Sequence, residues 1–223
     1  MTFRKKIQYL LVKKLKISNK KAIVLMRDGR IKVNGIVCIN NIIVDEIDEI
    51  QFENNIIQEG KKYIYIAFYK PKGIETTLNE HIIDNLKEIM PFNLEVFPVG
   101  RLDKDSEGLL LLTNNGKIFD KIVRKENAIE KEYIVTINKQ IDSNFLQKME
   151  NGVEILTKMT LPCFIEKIND FQFKIILTQG LNRQIRRMCY KLGYEVTKLI
   201  RTRIGNIELK DLKPLEYRII DMN

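Results

Sequence analysis

The chain has 223 residues, of which 44% are hydrophobic and 30% charged, and its formal net charge is +9. A chain of this size forms one large domain or two smaller ones, and its positive charge favours a polyanionic partner, nucleic acid before a membrane surface. No apolar stretch approaches the roughly 20 residues of a transmembrane helix, and lysines interrupt the N-terminal segment where a signal peptide has its apolar core. We therefore expect a cytoplasmic protein that does not enter a membrane.

The cysteines and the single histidine do not form a metal-binding pattern. Cys38, Cys163 and Cys189 are scattered along the chain, and His81 has no pair of ligands nearby. Zinc sites need such ligands at close spacing, and a histidine-dependent triad needs a suitably placed histidine. The sequence therefore predicts no metal site and no disulfide framework.

The first fifty residues are basic and begin with two predicted helices. Eleven Lys or Arg residues occur up to Lys32, against the single acid Asp28. Apolar residues at helical spacing from Phe3 to Leu15 predict one amphipathic helix, and Ser18 is a suitable N-cap for a second that ends at Gly29. The residues of the second helix that we expect to face inward are Ala22, Ile23, Leu25 and Met26.

The next stretch, GRIKVNGIVC, predicts a β-hairpin. Apolar and polar residues alternate from Arg30 to Asn34, and Asn34-Gly35 suits a two-residue turn. Over about residues 3 to 50 this pattern resembles the RNA-binding domain first known from ribosomal protein S-four; the alternative is a small helical cap with solvated lysines. The RNA-binding residues that the resemblance suggests are Lys20, Lys21, Arg30 and Lys32.

The polar segment NNIIQEGKK, residues 54 to 62, predicts a linker between domains at 1–58 and 62–223. Beyond it, residues 63 to 70 form a β-rich run, and apolar spacing predicts a helix over about 81 to 90, closed by Pro91. Later strands are expected at 130–137, 152–156, 161–168 and 171–177. Hairpin-like strands with a few helices indicate an α+β fold with a mainly antiparallel, mixed sheet.

The strand at 130–137 carries an aromatic residue between apolar ones. We expect Tyr133, Val135 and Ile137 on one face. Lys131, Ile134 and Thr136 are expected on the other.

The segment GRLDKDSEGLLLLTN, residues 100 to 114, places an Arg and an Asp before four leucines. The run Leu109–Leu112 is bounded by turn residues and predicts a core strand, so the loop before it opens at a sheet edge. An Asp held near an Arg stays a carboxylate and can serve as nucleophile or base, which points to Asp103 beside Arg101. The alternative is a solvated turn with a local ion pair.

A second basic segment, residues 177 to 207, contains a predicted helix that Asn182 caps and Gly193 ends. Its apolar stripe consists of Ile185, Met188, Cys189 and Leu192. Arg183, Arg187 and Tyr190 lie opposite that stripe, while Arg186 lies on its border and can reach a carboxylate or a phosphate. Arg201 and Arg203 add charge on the following strand. The alternative is an ordinary helix with a solvated basic face.

Four ordered segments together resemble the RsuA-like pseudouridine synthases over nearly the whole chain. They are YKPKG at 69–73, the GRLD segment at 100–114, EKEY at 130–133 and TQGLNRQIRRM at 178–188. The run QGLNRQIRRMC, followed by GYEV and RTRI, is most similar to the RluF subgroup, which acts on large-subunit ribosomal RNA. The resemblance implies a catalytic domain with its cleft across a bent sheet.

The resemblance also implies roles for individual residues. Asp103 is the expected catalytic aspartate, Tyr133 the aromatic ring that stacks on the target uracil, and Arg186 the ion-pair partner of Asp103. Arg101, Arg183 and Arg187 are expected to contact RNA. No cofactor is expected.

The function that the resemblance implies is isomerisation of uridine to pseudouridine in RNA, with large-subunit ribosomal RNA favoured. Transfer RNA or small-subunit ribosomal RNA are alternative substrates. A non-catalytic RNA-binding factor in ribosome assembly is the alternative from another class. The aspartate can attack the sugar or remove a sugar proton, and both routes stay open. We expect a monomer.

Overall fold

A computed structural model of the chain describes residues 5–118 and 128–221. Phe3, expected in the first helical stripe, lies outside these residues. The chain divides into two compact units, Met1–Tyr63 and Ile64–Asn223. None of the helices within the described residues has the length and apolar character needed to cross a membrane.

The first unit contains two helices and a four-stranded antiparallel sheet in the order β2-β1-β3-β4. Its elements are α1 Ile7–Leu15, α2 Asn19–Arg27, β1 Ile31–Val33, β2 Ile36–Val37, β3 Ile50–Phe52 and β4 Asn55–Gln58.

The local signals at α2 and the first hairpin are confirmed, with one exception. The Ser18 side chain accepts a hydrogen bond from the Lys21 amide, and Ala22, Leu25 and Met26 are buried. Ile23 was expected to face inward, but its side chain is 37% exposed, because it falls beside the buried stripe of α2. The two turn residues Asn34-Gly35 both have positive φ, as the hairpin turn requires.

The predicted linker is wrong over its first half. Residues 55–58 form β4, which pairs with β3 across a tight turn in which Glu53 has a φ of 56°. The Lys61 amide then donates to the Glu46 carbonyl at 2.8 Å, so the chain stays attached to the first unit. The polar composition of this segment suggested a linker, but the two isoleucines within it, residues 56 and 57, lie in β4. A two-residue turn is enough to join β4 to β3, so the polar residues beside it do not mark a boundary between domains.

The second unit is built on a mixed sheet in which β13 and β7 are parallel and the other described pairs antiparallel. Its fully described helices are α3 Leu86–Ile89, α4 Ser143–Asn151 and α5 Gln184–Lys191. Its strands are β5 Tyr65–Lys70, β6 Phe97–Val99, β7 Glu107–Thr113, β8 Lys131–Ile137, β9 Glu154–Ile155, β10 Lys158–Met159, β11 Phe164–Asn169, β12 Gln172–Leu177, β13 Val196–Ile204, β14 Ile207–Glu208 and β15 Tyr217–Ile219.

The strand order is β11-β12-β8-β13-β7-β5-β15, with β14 beside β13 and β6 beside β7. The short strands β9 and β10 form a separate hairpin. The prediction of a mainly antiparallel, mixed sheet is thus confirmed for this unit.

The helix predicted over 81–90 is much shorter in the structure. The Asn85 side chain accepts a hydrogen bond from the Glu88 amide and starts α3 at Leu86. Ile83, one of the apolar residues whose spacing predicted the longer helix, is 80% exposed. The apolar spacing suggested a longer helix, but the N-cap decides where this one begins.

The leucine run of β7 packs on both faces of the sheet. Leu109 and Leu111 join one hydrophobic cluster, and Leu110 and Leu112 join another. A strand buried on both sides needs a continuous apolar run rather than an alternating one. The loop at residues 100–106 is therefore anchored to one of the most buried strands of the unit.

Candidate active site

A cleft of about 870 Å³ opens in the second unit between the loop at 98–106, the strands β8 and β13, and the segment 177–185. Of the predicted site residues, Asp103, Tyr133, Arg101 and Arg183 line it. Arg186 and Arg187 do not line this cleft. The structure therefore brings the predicted aspartate and aromatic ring together and leaves out the predicted ion-pair partner.

Tyr133 lies on the floor of the cleft because of the strand register. It is directly opposite Arg201 of β13 and Ile175 of β12, so these three side chains share one face of the sheet. Lys131 also lines the cleft, on the same face as Tyr133. Its assignment to the other face was wrong, because side chains two residues apart in a strand point the same way.

Hydrogen bonds fix the backbone on both sides of the Asp103 side chain. The Thr76 hydroxyl donates to the Leu102 carbonyl at 2.6 Å and accepts from the Leu102 amide at 3.2 Å. The Ser106 amide donates to the Asp103 carbonyl at 2.9 Å, which closes a turn. The carboxylate itself is half-buried and has no hydrogen bond or ion pair within the described part of the chain. It is thus fixed in position and available to a substrate.

Gly108 lets β7 approach β13 closely at the point where this loop becomes a strand. Its φ is +104°, and a Cβ atom there would lie 2.4 Å from the Arg201 carbonyl oxygen and 2.8 Å from the Arg201 nitrogen. Any larger residue would therefore have to push the two strands apart. From the sequence alone, Gly108 indicated only where the predicted leucine strand begins.

The predicted ion pair between Arg186 and Asp103 is wrong. The Arg186 guanidinium donates to the Asp105 carbonyl at 2.7 Å and to the Val196 carbonyl at 3.0 Å, and it approaches the Ser106 hydroxyl at 3.4 Å. The Arg186 side chain extends from α5 and brings its guanidinium within hydrogen-bond distance of these backbone carbonyls. Burial, and then the nearby Arg183, lower the pKa of Arg186. Arg186 thus ties the loop after Asp103 to the start of β13.

Asp105 takes the ion pair that was expected of Asp103. Its carboxylate accepts from the Arg183 guanidinium at 2.9 Å, and this hydrogen bond lowers the pKa of Asp105. Both side chains remain substantially exposed, so the pair contributes little to stability. It does place a charged group of α5 at the edge of the cleft.

The start of α5 differs from the prediction. Arg183, with a φ of 51°, occupies the N-cap position, and Asn182 lies before it. The carbonyl and side-chain oxygens of Asn182 accept from Arg187 at 3.0 and 3.1 Å, so Asn182 orients an arginine instead of capping amides. The expected apolar stripe is confirmed, since Ile185, Met188 and Cys189 are buried and Leu192 packs against the same cluster.

Arg201 is a site residue that the sequence analysis did not select. It is only 3% exposed, and it donates to the Leu109 carbonyl at 2.7 Å and the Arg101 carbonyl at 3.2 Å. Its remaining guanidinium nitrogen is buried and has no hydrogen-bond partner among the described residues. The sequence contains one indication of this position: Arg201 lies two residues after the apolar Leu199. Side chains two residues apart in a strand point to the same face, so an inward-facing leucine predicts an inward-facing arginine.

Lys70 adds a second buried cation near this site. Its ammonium group donates to the Pro71 carbonyl at 2.8 Å and the Ile74 carbonyl at 2.7 Å. Burial, and then the charge of Arg201, lower the pKa of Lys70 to about 8, while Asp103 acts in the opposite direction. The lysine therefore fixes the turn after β5 and interacts electrostatically with the carboxylate.

The other predicted RNA contacts lie in the first unit. Lys20 and Lys21 are exposed on α2, and Lys32 is half-buried on β1. Arg30 forms an ion pair with Glu53, and its guanidinium lies 5.2 Å from the centre of the Phe52 ring. Across residues 5–118 and 128–221, no group of three His, Cys, Asp or Glu side chains is arranged to hold a metal ion.

Comparison with known proteins gives one consistent family. Residues 64–191 match the model of the RNA pseudouridylate synthase family. The chain is 45% identical over 173 residues to the dual-specificity RNA pseudouridine synthase RluF of Salmonella typhi, covering 77% of this chain and 60% of that enzyme. It is 30% identical to the ribosomal large subunit pseudouridine synthase B of Bacillus subtilis, covering 87% and 83%.

A crystal structure of a pseudouridylate synthase has a similar fold. Its TM-score is 0.67 at 24% identity, and the match covers 97% of this chain and 96% of that one. At this identity the likeness concerns the fold alone.

Proposed function

Since this chain belongs to the RNA pseudouridylate synthase family, we propose that it converts specific uridines of RNA to pseudouridine, with large-subunit ribosomal RNA as its substrate. The observation that carries the proposal is the Asp103 carboxylate, which lines the same cleft as Tyr133 and has no hydrogen-bond or ion-pair partner among the described residues. The name of the Bacillus subtilis relative supports the choice of ribosomal RNA.

The reaction is an isomerisation, so its atoms balance without a redox carrier. The bond between the anomeric carbon and ring nitrogen one breaks, the uracil turns, and ring carbon five bonds to the anomeric carbon. Carbon five then loses its proton, and nitrogen one gains one. Asp103 starts this sequence by attacking the anomeric carbon or by removing a neighbouring sugar proton, and it is regenerated at the end.

The floor of the cleft suits a flipped uracil. Extracting a base from its stack costs a few kcal/mol, and stacking on an aromatic ring returns about 1–3 kcal/mol. Tyr133 provides that ring. Lys131 and Arg201 on the same face place positive charge beside the uracil, which gains negative charge as the glycosidic bond breaks.

Arg186 acts as a positioning residue in this proposal. Its bonds to the backbone of Asp105 and Val196 hold the end of the catalytic loop against β13. Arg101 and Arg183 at the cleft, with Arg187 behind them, contact RNA phosphates.

The first unit supplies additional RNA binding in the manner of the ribosomal protein S-four domain. Its exposed lysines on α2, Lys20 and Lys21, and Lys32 on β1 form the basic surface, while Arg30 is partly neutralised by Glu53. We place the protein in the cytoplasm, where its RNA substrate is made. We expect it to act there as a monomer.

The deciding experiment maps pseudouridine in total RNA from cells with and without this protein, together with the purified protein acting on ribosomal RNA. Asp103→Asn should abolish isomerisation and keep RNA affinity within a few-fold of wild type, because the carboxylate is needed for bond rearrangement and not for docking. Asp105→Asn is the matched control and should retain most of the rate. If Asp103→Asn still modifies RNA at a substantial rate, the assignment of Asp103 as the catalytic aspartate is wrong. If the wild-type protein binds RNA but forms no pseudouridine, the role of a binding factor in ribosome assembly is favoured instead.

A further inference from the structure

A second groove of about 620 Å³ lies beside the cleft, between α5 and the β9–β10 hairpin. We call it the α5 groove. Arg183 lines both the cleft and this groove, so the two adjoin at that residue. The lining residues that matter here are Leu156, Arg183, Arg187, Tyr190 and Lys191, with Glu154 and Glu195 at the acidic part of its wall.

Two cations on the helix side of the α5 groove, Arg187 and Lys191, have no acidic partner within the described residues. In that part of the chain, Arg187 donates only to the neutral oxygens of Asn182. Lys191 is exposed and has no ion pair with any residue in the described ranges. Arg183 is the exception, since Asp105 offsets its charge. A polyanion would therefore be attracted to the α5 side and kept from the side of Glu154 and Glu195.

Tyr190 presents a free aromatic ring in this basic setting. Its side chain is 81% exposed, and within the described residues it has no hydrogen bond, ring contact or cation contact. It lies three residues after Arg187, on the same face of α5. Across the groove, Leu156 at the tip of the β9–β10 hairpin is 51% exposed. An exposed ring flanked by cations is the arrangement on which nucleic-acid bases stack.

We propose that the α5 groove binds an unpaired RNA strand adjoining the target nucleotide, with a base stacked on Tyr190. The inference rests on the proposed function, because the strand belongs to the RNA whose uridine enters the cleft. Tyr190 is seven residues beyond Arg183, about 10 Å along a helix, which corresponds to about three stacked nucleotides. Arg187 and Lys191 contact its phosphates.

The strand in the α5 groove has to be unpaired, because a base inside a duplex cannot offer its face to a side chain. Stacking does not depend on base identity, so the groove selects an unpaired segment and not a sequence. The catalytic cleft would then find its uridine partly through the single-stranded character of the neighbouring nucleotides.

The test places 2-aminopurine at each of the four positions on either side of the target uridine in a ribosomal RNA fragment. Binding of the full-length protein should quench its fluorescence at about three nucleotides from the target, and Tyr190→Leu should remove this quenching. Tyr190→Leu should also weaken binding about 5- to 150-fold, the equivalent of one lost stacking contact. Tyr190→Phe should behave as wild type.

Three controls separate binding in the α5 groove from the effects of general charge, of strand pairing and of folding. Lys148→Ala removes an exposed lysine of α4 that lines neither cavity and should change affinity much less than Arg187→Ala. Pairing the flanking segment with a complementary oligonucleotide should reduce wild-type affinity to the level of Tyr190→Leu. Tyr190 is exposed, so its variants should melt at the wild-type temperature.

The outcomes distinguish this inference from the proposed function. If pseudouridine forms but Tyr190→Leu binds and quenches like wild type, the α5 groove does not hold RNA and the inference is wrong. If Tyr190 affects RNA binding but no pseudouridine forms in any RNA, the proposed function fails, and only RNA binding by the α5 groove is supported. If oligoglutamate binds with the same dependence on Tyr190 and RNA does not, the groove serves an acidic peptide and the inference is wrong.

Discussion

Thr76 controls the position of the catalytic loop through a single hydroxyl group. That hydroxyl makes both described hydrogen bonds to the backbone of Leu102, the residue before Asp103, and Thr76 is only 5% exposed. Thr76→Val keeps the shape of the side chain and removes the hydroxyl. It therefore leaves a buried carbonyl and a buried amide without a partner.

The expected cost follows from those two groups. Each unsatisfied buried polar group costs about 1–3 kcal/mol, and partial backbone relaxation puts the total for the pair at about 2–4 kcal/mol. For a unit of this size that corresponds to a melting temperature lower by about 4–16 °C. A displacement of the loop by about 1 Å should also slow the reaction on the order of 100-fold.

Thermal unfolding and single-turnover pseudouridine formation at saturating protein measure the two effects. Thr76→Ser is the matched control, because it keeps the hydroxyl and loses one methyl group, worth about 0.8 kcal/mol. We expect Thr76→Ser to be close to wild type in rate, and RNA affinity to be similar in all three proteins. If Thr76→Val unfolds and reacts like Thr76→Ser, the hydroxyl does not position Asp103 and the reasoning is wrong.

Three further predictions concern the cleft and its surroundings. Tyr133→Phe should keep more single-turnover activity than Tyr133→Ala because the ring holds the uracil; equal loss in both would instead make the hydroxyl an acid or base. Arg186→Lys should recover only part of the rate lost in Arg186→Ala, because the carbonyls of residues 196 and 105 bind two different guanidinium nitrogens, and a single ammonium nitrogen cannot occupy both positions. Arg187→Ala should lose affinity and little maximal rate; the reverse ranking would contradict the positioning role of Arg186. Since burial lowers the pKa of Lys70 to about 8, the unfolded chain binds its proton more tightly, so stability should rise between pH 7.5 and 9.5 in urea unfolding. The increase in unfolding free energy over this pH range should be smaller in Lys70→Met. An equal increase in the variant would show that Lys70 is not its source.

Features that depend on neighbours in the chain were predictable from the sequence. The N-cap Ser18, the turn at Asn34-Gly35 and the apolar stripe of α5 follow from local hydrogen bonding and helical spacing. The run Leu109–Leu112 predicted a core strand because a short apolar run between turn residues fits the length of a strand better than that of a helix. The motif segments placed Asp103 and Tyr133 as candidates, and the structure brings both to one cleft.

The partners of the charged groups were decided by tertiary structure alone. Arg186 meets backbone carbonyls of residues 105 and 196, although its position on the helix border suited a carboxylate equally well. Arg201 enters the site because β13 pairs with β8 in the register that sets it opposite Tyr133. Helical and strand periods specify which face of an element a side chain occupies, but the group that it meets there depends on how elements far apart in sequence pack, and no local pattern contains that information.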